Sequence, residues 1–100
     1  MKKINYDVLI PARNEENNIG KTLKCVCNQT IKPDSIIVIN DNSIDRTGEI
    51  AREYGAKVID FPYEHKNWVI DGKLGIVFSF GMNYFNKDNS YFVILGADHV

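Results

Sequence analysis

The run Val8-Leu9-Ile10-Pro11-Ala12-Arg13-Asn14-Glu15-Glu16-Asn17-Asn18 changes character at its midpoint. Val8, Leu9 and Ile10 form the continuous apolar pattern of a strand buried on both faces, the signature of a parallel sheet covered by helices. From Arg13 to Asn18 no apolar residue follows. Pro11 sits at the junction and has no N–H to donate to a ladder, so the strand is expected to cover Tyr6 to Ile10 and to end there. A core strand that empties into charges and amides carries those side chains to the carboxyl edge of its sheet.

Working outward, Ile19, Leu23, Val26 and Cys27 recur at three- and four-residue steps between Asn17 and Gln29, which predicts a helix with one apolar stripe. Lys32-Pro33-Asp34 reads as a turn, and Ser35 to Ile39 as a second buried strand. The stretch from Asn40 to Gly48 is rich in turn and cap residues, with Ser43 and Asp45 both candidates for a helix N-cap. Ile44, Thr47, Ile50, Ala51 and Tyr54 then mark a helical face, and Gly55 suits the left-handed residue at its end. Ala56 to Phe61 reads as a third strand and Ser90 to Leu95 as a fourth. Between them lie an aromatic-containing loop over 62–72 and a helix from Lys73 to Phe85.

The order β-α-β-α-β-loop-α-β predicts an α/β protein with a Rossmann-like, mostly parallel sheet and helices on both faces. In such sheets ligands bind beyond the carboxyl ends of the strands, where the strand order reverses. Pro11 to Glu16, Asn40 to Ser43 and Gly96 to His99 each follow a strand directly, so all three polar clusters are expected on one rim.

Composition bounds the partners. The 100 residues allow one domain over 1–100, and 44% hydrophobic with 25% charged residues is a globular balance. A net charge of −1 gives no global attraction for nucleic acid or anionic lipid, so binding must be local. Ile36-Ile37-Val38-Ile39 and Phe92-Val93-Ile94-Leu95 are strand-length, well short of the roughly 20 residues of a spanning helix. Asn5 and Asp7 interrupt the N-terminus too early for a secretory signal. Cys25 and Cys27 would point about 200° apart on a helix. They therefore read as core or boundary residues in a reducing, cytoplasmic setting rather than as a disulfide or metal pair. On that basis the sequon Asn28-Gln29-Thr30 is taken as coincidence. A fourth strand followed by only the start of a loop reads as a chain truncated just past Asp98.

On residue chemistry alone, Asp41 could accept hydrogen bonds from a ring N–H or ribose hydroxyls, or could simply form an Asx turn ahead of the helix. Arg13 could meet a phosphate or base, or pair with Glu15 or Glu16. Asp98 stands where an oxygen ligand for Mg²⁺ or Mn²⁺ bridged to phosphates belongs, while His99 reads as a surface histidine. Gly72-Lys73-Leu74 lacks the remainder of a phosphate-binding P-loop, and no G-x-G-x-x-G follows the first strand. Asp41, Ser43 and Asp45 are spaced like calcium ligands, but Arg46 and Arg52 occupy the positions that need Gly and Glu.

The combination P-x-(Y/R)-N-E-E at Pro11–Glu16, N-Q-T at Asn28–Thr30 and D-x-S-x-D-x-T at Asp41–Thr47 resembles the N-terminal half of family 2 glycosyltransferases, inverting enzymes of the A-type glycosyltransferase fold. The resemblance is dense from Val8 to Ile59 and thinner up to Gly96-Ala97-Asp98. It implies that Pro11, Ala12, Arg13 and Glu15 contact the base and ribose of a nucleotide and that Asp41 reads the uracil N3–H. It also places Lys73 near the donor phosphates or sugar, and Asp98 as the ligand of the divalent cation, Mg²⁺ or Mn²⁺.

Three departures accompany it. The first Asp of the D-x-D motif is Gly96, the usual Asp before Asp41 is Asn40, and Lys73 continues into Leu74–Gly81 with Phe78 and Ser79 where an Asn or Arg is usual. The resemblance implies metal-assisted transfer of a sugar from a UDP- or GDP-sugar to a saccharide or lipid-linked acceptor, at the cytoplasmic face of a membrane in many relatives. The catalytic base is expected beyond Val100, which leaves this chain the donor-binding half, inactive alone. A non-catalytic glycosyltransferase-like module and a nucleotidyltransferase-like protein are the alternatives.

Overall fold

The computed structural model describes residues 5–62, 74–89 and 91–96. Four strands form one parallel sheet: β1 (Tyr6–Ala12), β2 (Ser35–Asn40), β3 (Lys57–Asp60) and β4 (Tyr91–Ile94), in the order β3-β2-β1-β4. The helices α1 (Ile19–Cys27), α2 (Thr47–Glu53) and α3 (Leu74–Met82) connect them. The chain steps outward from β1 to β2 to β3, then crosses back to lay β4 on the other side of β1. The order therefore reverses about β1, with β2 on one side and β4 on the other, and it is beyond the carboxyl ends at such a reversal that parallel sheets bind ligands.

Alternation along the central strands divides the core between two faces. Val8, Ile10 and Ala12 of β1 and Val38 of β2 pack with Ile19, Leu23 and Val26 of α1 and Ala51 of α2. Leu9, Ile37 and Ile39 turn the other way, toward Val77 of α3 and Phe61. Leu9, Ile10, Ile37 and Ile39 are fully buried, each worth roughly 1.5–3 kcal/mol in transfer free energy. α3 is apolar nearly all round and sits close on the sheet through Gly81: a Cβ there would stand 2.7 Å from Leu9 and 3.1 Å from Ile39. Phe80 of the same helix meets Phe61 edge-on, with ring centroids 5.3 Å apart. Helices thus flank both faces, as the alternating pattern predicts.

Pro11 corrects the expected end of β1. The strand continues through Pro11 and Ala12, which pair with Ile39 and Asn40 of β2. The reason lies in which neighbour each residue faces. The Leu9 carbonyl accepts from Leu95 N–H on the β4 side, and the Ala12 carbonyl accepts from Asp41 N–H on the β2 side. Hydrogen-bonding groups alternate along a strand, so Pro11 presents its missing donor to β4, where pairing stops at Leu9 with Ile94. The proline ends the β1–β4 ladder while the β1–β2 ladder runs on.

Further boundaries shift. α2 starts at Thr47, leaving Ile44 outside the helix and 93% exposed rather than on its apolar face. Gly55 takes the left-handed conformation (φ 87°), and its N–H closes α2 on the Arg52 carbonyl. Cys25 is exposed and Cys27 half-buried, and neither is in a disulfide. Within the sequon, Asn28 is the C-cap of α1 and the Gln29 amide donates to the Cys25 carbonyl at 3.0 Å. Most of the aromatic-containing loop lies outside the described residues.

The two sheet edges differ. β3 carries Lys57 and Asp60, charges that discourage further pairing, whereas β4 is Tyr91-Phe92-Val93-Ile94, all exposed. An apolar groove of about 710 Å³ runs between β4 and the end of α1, lined by residues including Tyr6, Val26, Ile31, Tyr91 and Val93. It lies along the sheet face and apart from the polar rim.

Candidate functional site

The carboxyl ends of β1 and β2 put residues 13–18 beside residues 41–46. Each loop turns on one left-handed asparagine, Asn14 at φ 53° and Asn42 at φ 56°, a conformation that asparagine tolerates better than most non-glycine residues. Asp41 follows β2 and is fully buried. Its carboxylate accepts from the Asn42 side-chain amide at 2.9 Å, and the Arg13 guanidinium approaches it to 4.0 Å. Arg13 therefore faces Asp41 across the two strand ends rather than Glu15 or Glu16. An anion and a cation at the mouth of a parallel sheet can read donors on a planar ring and neutralise a phosphate.

Pro11, Ala12, Arg13 and Asp41 are thus brought together at two neighbouring strand ends. Glu15 belongs to the same loop, and its carboxylate accepts from the Asn18 side chain at 3.1 Å while its carbonyl accepts from Asn18 and Ile19 N–H, starting α1. Lys73 and Asp98 lie outside the described residues. Asn40, where the resemblance expects Asp, donates its amide to Asp60 at 3.1 Å. An aspartate there would set two carboxylates against each other, so the amide suits its local partner.

The residues that organise this rim were not singled out as binding residues by their sequence. Asn14 N–H donates to Ser43 Oγ at 3.0 Å, Glu15 N–H to Thr47 Oγ1 at 2.8 Å, and Glu16 N–H to Asp45 Oδ2 at 3.2 Å. In return, Ile44 N–H donates to Asn14 Oδ1 at 2.8 Å and Arg46 N–H to Glu16 Oε2 at 3.2 Å. Thr47 is buried, and its hydroxyl donates to Asp45. The only signal in the sequence was the run of short oxygen-bearing side chains at Asp41, Ser43, Asp45 and Thr47, residue types that accept hydrogen bonds from nearby backbone N–H groups. Neither N-cap candidate takes that position: Arg46 is the N-cap residue of α2, while Asp45 accepts the Thr47 N–H at 3.0 Å and Ser43 serves the neighbouring loop.

Burial pushes the Asp45 carboxyl up, but the Thr47 hydroxyl and N–H and the Glu16 N–H together outweigh it and hold the group below its ordinary range. A carboxyl depressed in the fold stabilises above its unfolded pKa, about 3.9, and loses that contribution as pH falls through the folded value. Asp45→Asn is therefore expected to lower the urea midpoint at pH 7, and the gap from the parent chain should narrow as pH drops below about 4. A gap constant from pH 7 to pH 3 would contradict this.

With that rim in place, comparison with known proteins decides the family: residues 7–100 match glycosyl transferase family 2. The chain belongs to that family. A 4,4'-diaponeurosporenoate glycosyltransferase of Staphylococcus haemolyticus is 47% identical over 64 residues, 62% of this chain and 17% of that protein. Its Staphylococcus aureus counterpart is 49% identical over 53 residues, 53% of this chain and 14% of its own length. This family 2 chain thus spans less than a fifth of the curated relatives it matches. Among solved structures, glucosyl-3-phosphoglycerate synthase from Mycobacterium tuberculosis bound to UDP superposes with TM-score 0.70 at 20% identity, over 97% of this chain and 35% of that one. Mannosyl-3-phosphoglycerate synthase from Rubrobacter xylanophilus gives 0.71 at 18% identity, over 95% and 31%. The shared architecture is the expected A-type glycosyltransferase fold. Among the described residues no group of three or more His, Cys, Asp or Glu side chains could hold a metal ion.

Proposed function

We propose that the chain is the donor-binding half of a glycosyltransferase that takes its sugar from a nucleotide diphosphate sugar, with UDP ahead of GDP as the nucleotide. The observation that carries the reading is the buried Asp41 carboxylate with Arg13 at 4.0 Å, at the carboxyl edge of β2 and β1. In this reading Asp41 accepts the ring N–H of the base, Arg13 and Glu15 serve base and ribose, and the backbone at Pro11 and Ala12 forms the floor. A structure of the Mycobacterium tuberculosis synthase, 25% identical over 64% of this chain, contains Mn²⁺, UDP-glucose and phosphoglyceric acid, which supports a nucleotide and a divalent cation here. Asp98 would hold that cation, Mg²⁺ or Mn²⁺, which offsets charge on the leaving diphosphate. Lys73 would approach the same phosphates.

Transfer with inversion requires a carboxylate base on the acceptor hydroxyl, and this reading places that base outside residues 1–100. The acceptor is a saccharide or a lipid-linked molecule, with 4,4'-diaponeurosporenoate, named in the Staphylococcus relatives, as one compound to test. Docking at the cytoplasmic face of a membrane belongs to the same proposal. Calorimetric titration of the chain with UDP and Mn²⁺ is expected to show one saturable site. Absence of heat at millimolar UDP, with the chain folded, would overturn the reading. Gly96, in place of the first carboxylate of the D-x-D motif, favours a second reading as a non-catalytic module that retains nucleotide binding. Sugar transfer by the longer protein would exclude that alternative.

A further inference from the structure

We infer that Ser43, Asp45 and Thr47 are positioning residues, a clasp that presets the 13–16 backbone for nucleotide binding without touching the nucleotide. The inference rests on the proposed nucleotide reading of the rim. Its basis is reciprocity: three consecutive backbone N–H groups, of Asn14, Glu15 and Glu16, are taken by side chains of the second loop. Two alternate N–H groups of that loop, of Ile44 and Arg46, are taken by Asn14 and Glu16. Each loop thus supplies side-chain acceptors for the other's backbone, and their conformations are interdependent.

Asn14 Oδ1 and Glu16 Oε2 each accept one N–H in this exchange, which fixes the direction of both side chains. Arg13, at the start of the clasped segment, is left against Asp41. Thr47 is the pivot, because a single buried hydroxyl accepts from Glu15 N–H and donates to Asp45. The cost of ordering a loop is met either at folding or at binding, and a loop ordered in advance binds more tightly. The clasp puts that cost into folding, so loosening it should appear as lost affinity.

Thr47→Val keeps the shape of the side chain and removes both hydrogen bonds; Thr47→Ser keeps the hydroxyl. Thr47→Val is expected to weaken UDP binding with Mn²⁺ roughly tenfold. It should also speed amide hydrogen exchange at Asn14, Glu15 and Glu16, and Thr47→Ser should restore both properties. A purely structural threonine would show a lower unfolding midpoint with unchanged UDP affinity. Ser43→Ala, which removes one acceptor at a half-buried site, repeats the test if Thr47→Val does not fold. Exchange that quickens while UDP affinity stays unchanged would overturn the inference and leave the nucleotide reading standing. Unchanged exchange would overturn it as well, because no clasp would then have been broken. Failure of the unsubstituted chain to bind UDP would overturn both.

Discussion

Asp41→Ala is expected to weaken UDP binding by roughly ten- to a hundredfold, the worth of one charge-assisted hydrogen bond, while leaving CDP binding almost unchanged. The asymmetry follows from the two bases. Uracil presents a donor at ring N3, which a carboxylate accepts, whereas cytosine presents a lone pair there, which a carboxylate repels. A site that accepts a hydrogen bond from one base's ring N–H disfavours an analogue that presents a lone pair at the same position. The parent chain should therefore prefer UDP to CDP, and the alanine variant should lose most of that preference. The substitution leaves the strand intact, because Asp41 joins β1 through its backbone N–H to the Ala12 carbonyl at 2.8 Å. Paired titrations of UDP and CDP, with Mn²⁺ at fixed concentration, separate this role from an Asx turn. If Asp41 only shaped the loop, both nucleotides would weaken together, in step with a fall in the unfolding midpoint.

The parts of this architecture that sequence makes legible are those encoded locally. Apolar continuity at Val8–Ile10 and Ser35–Ile39, three- and four-residue spacing in α1 and the glycine after α2 all act within a few residues, and each appears where its pattern predicts. The rim was legible for the same reason: a polar cluster directly after a buried strand has nowhere else to go in a parallel sheet. What escaped is non-local. Whether Pro11 ends a strand depends on which neighbour its missing N–H faces, and that is known only once β4 is seen to stop at Ile94. Ile44 fits a helical stripe by spacing, but the hydrogen bond from its N–H to Asn14, thirty residues away, keeps its backbone in the loop. Ser43 looked like a cap and Glu16 like an ion-pair partner for Arg13 because their actual partners lie in the other loop. Gly96 and Asn40 were legible as departures, yet only the 3.1 Å contact with Asp60 gives Asn40 a local reason.

Asp7 carries the largest expected effect on stability. It lies on β1 near the opposite edge from the rim, is 1% exposed, and is satisfied by three donors from distant segments. Ser35 Oγ donates to it at 2.8 Å from the start of β2, Asn86 N–H at 2.8 Å and Asn89 Nδ2 at 2.9 Å from the turn that precedes β4. One carboxylate thus ties β1 to β2 and anchors the segment that delivers β4. Asp7→Ala removes all three bonds and leaves a void, and Ser35 and Asn89 keep donors that water reaches only in part. Hydrogen bonds to a charged group contribute about 1.5–3 kcal/mol each but do not add fully when they share an acceptor. The expected loss is roughly 3 kcal/mol, a large share of the ~5–15 kcal/mol typical of a whole domain. Urea unfolding of the variant should show a markedly lower midpoint. Hydrogen exchange should quicken first in β4, whose outer edge has no strand partner among the described residues. A variant that loses less than about 1 kcal/mol would show that the three donors find water as readily as they find Asp7.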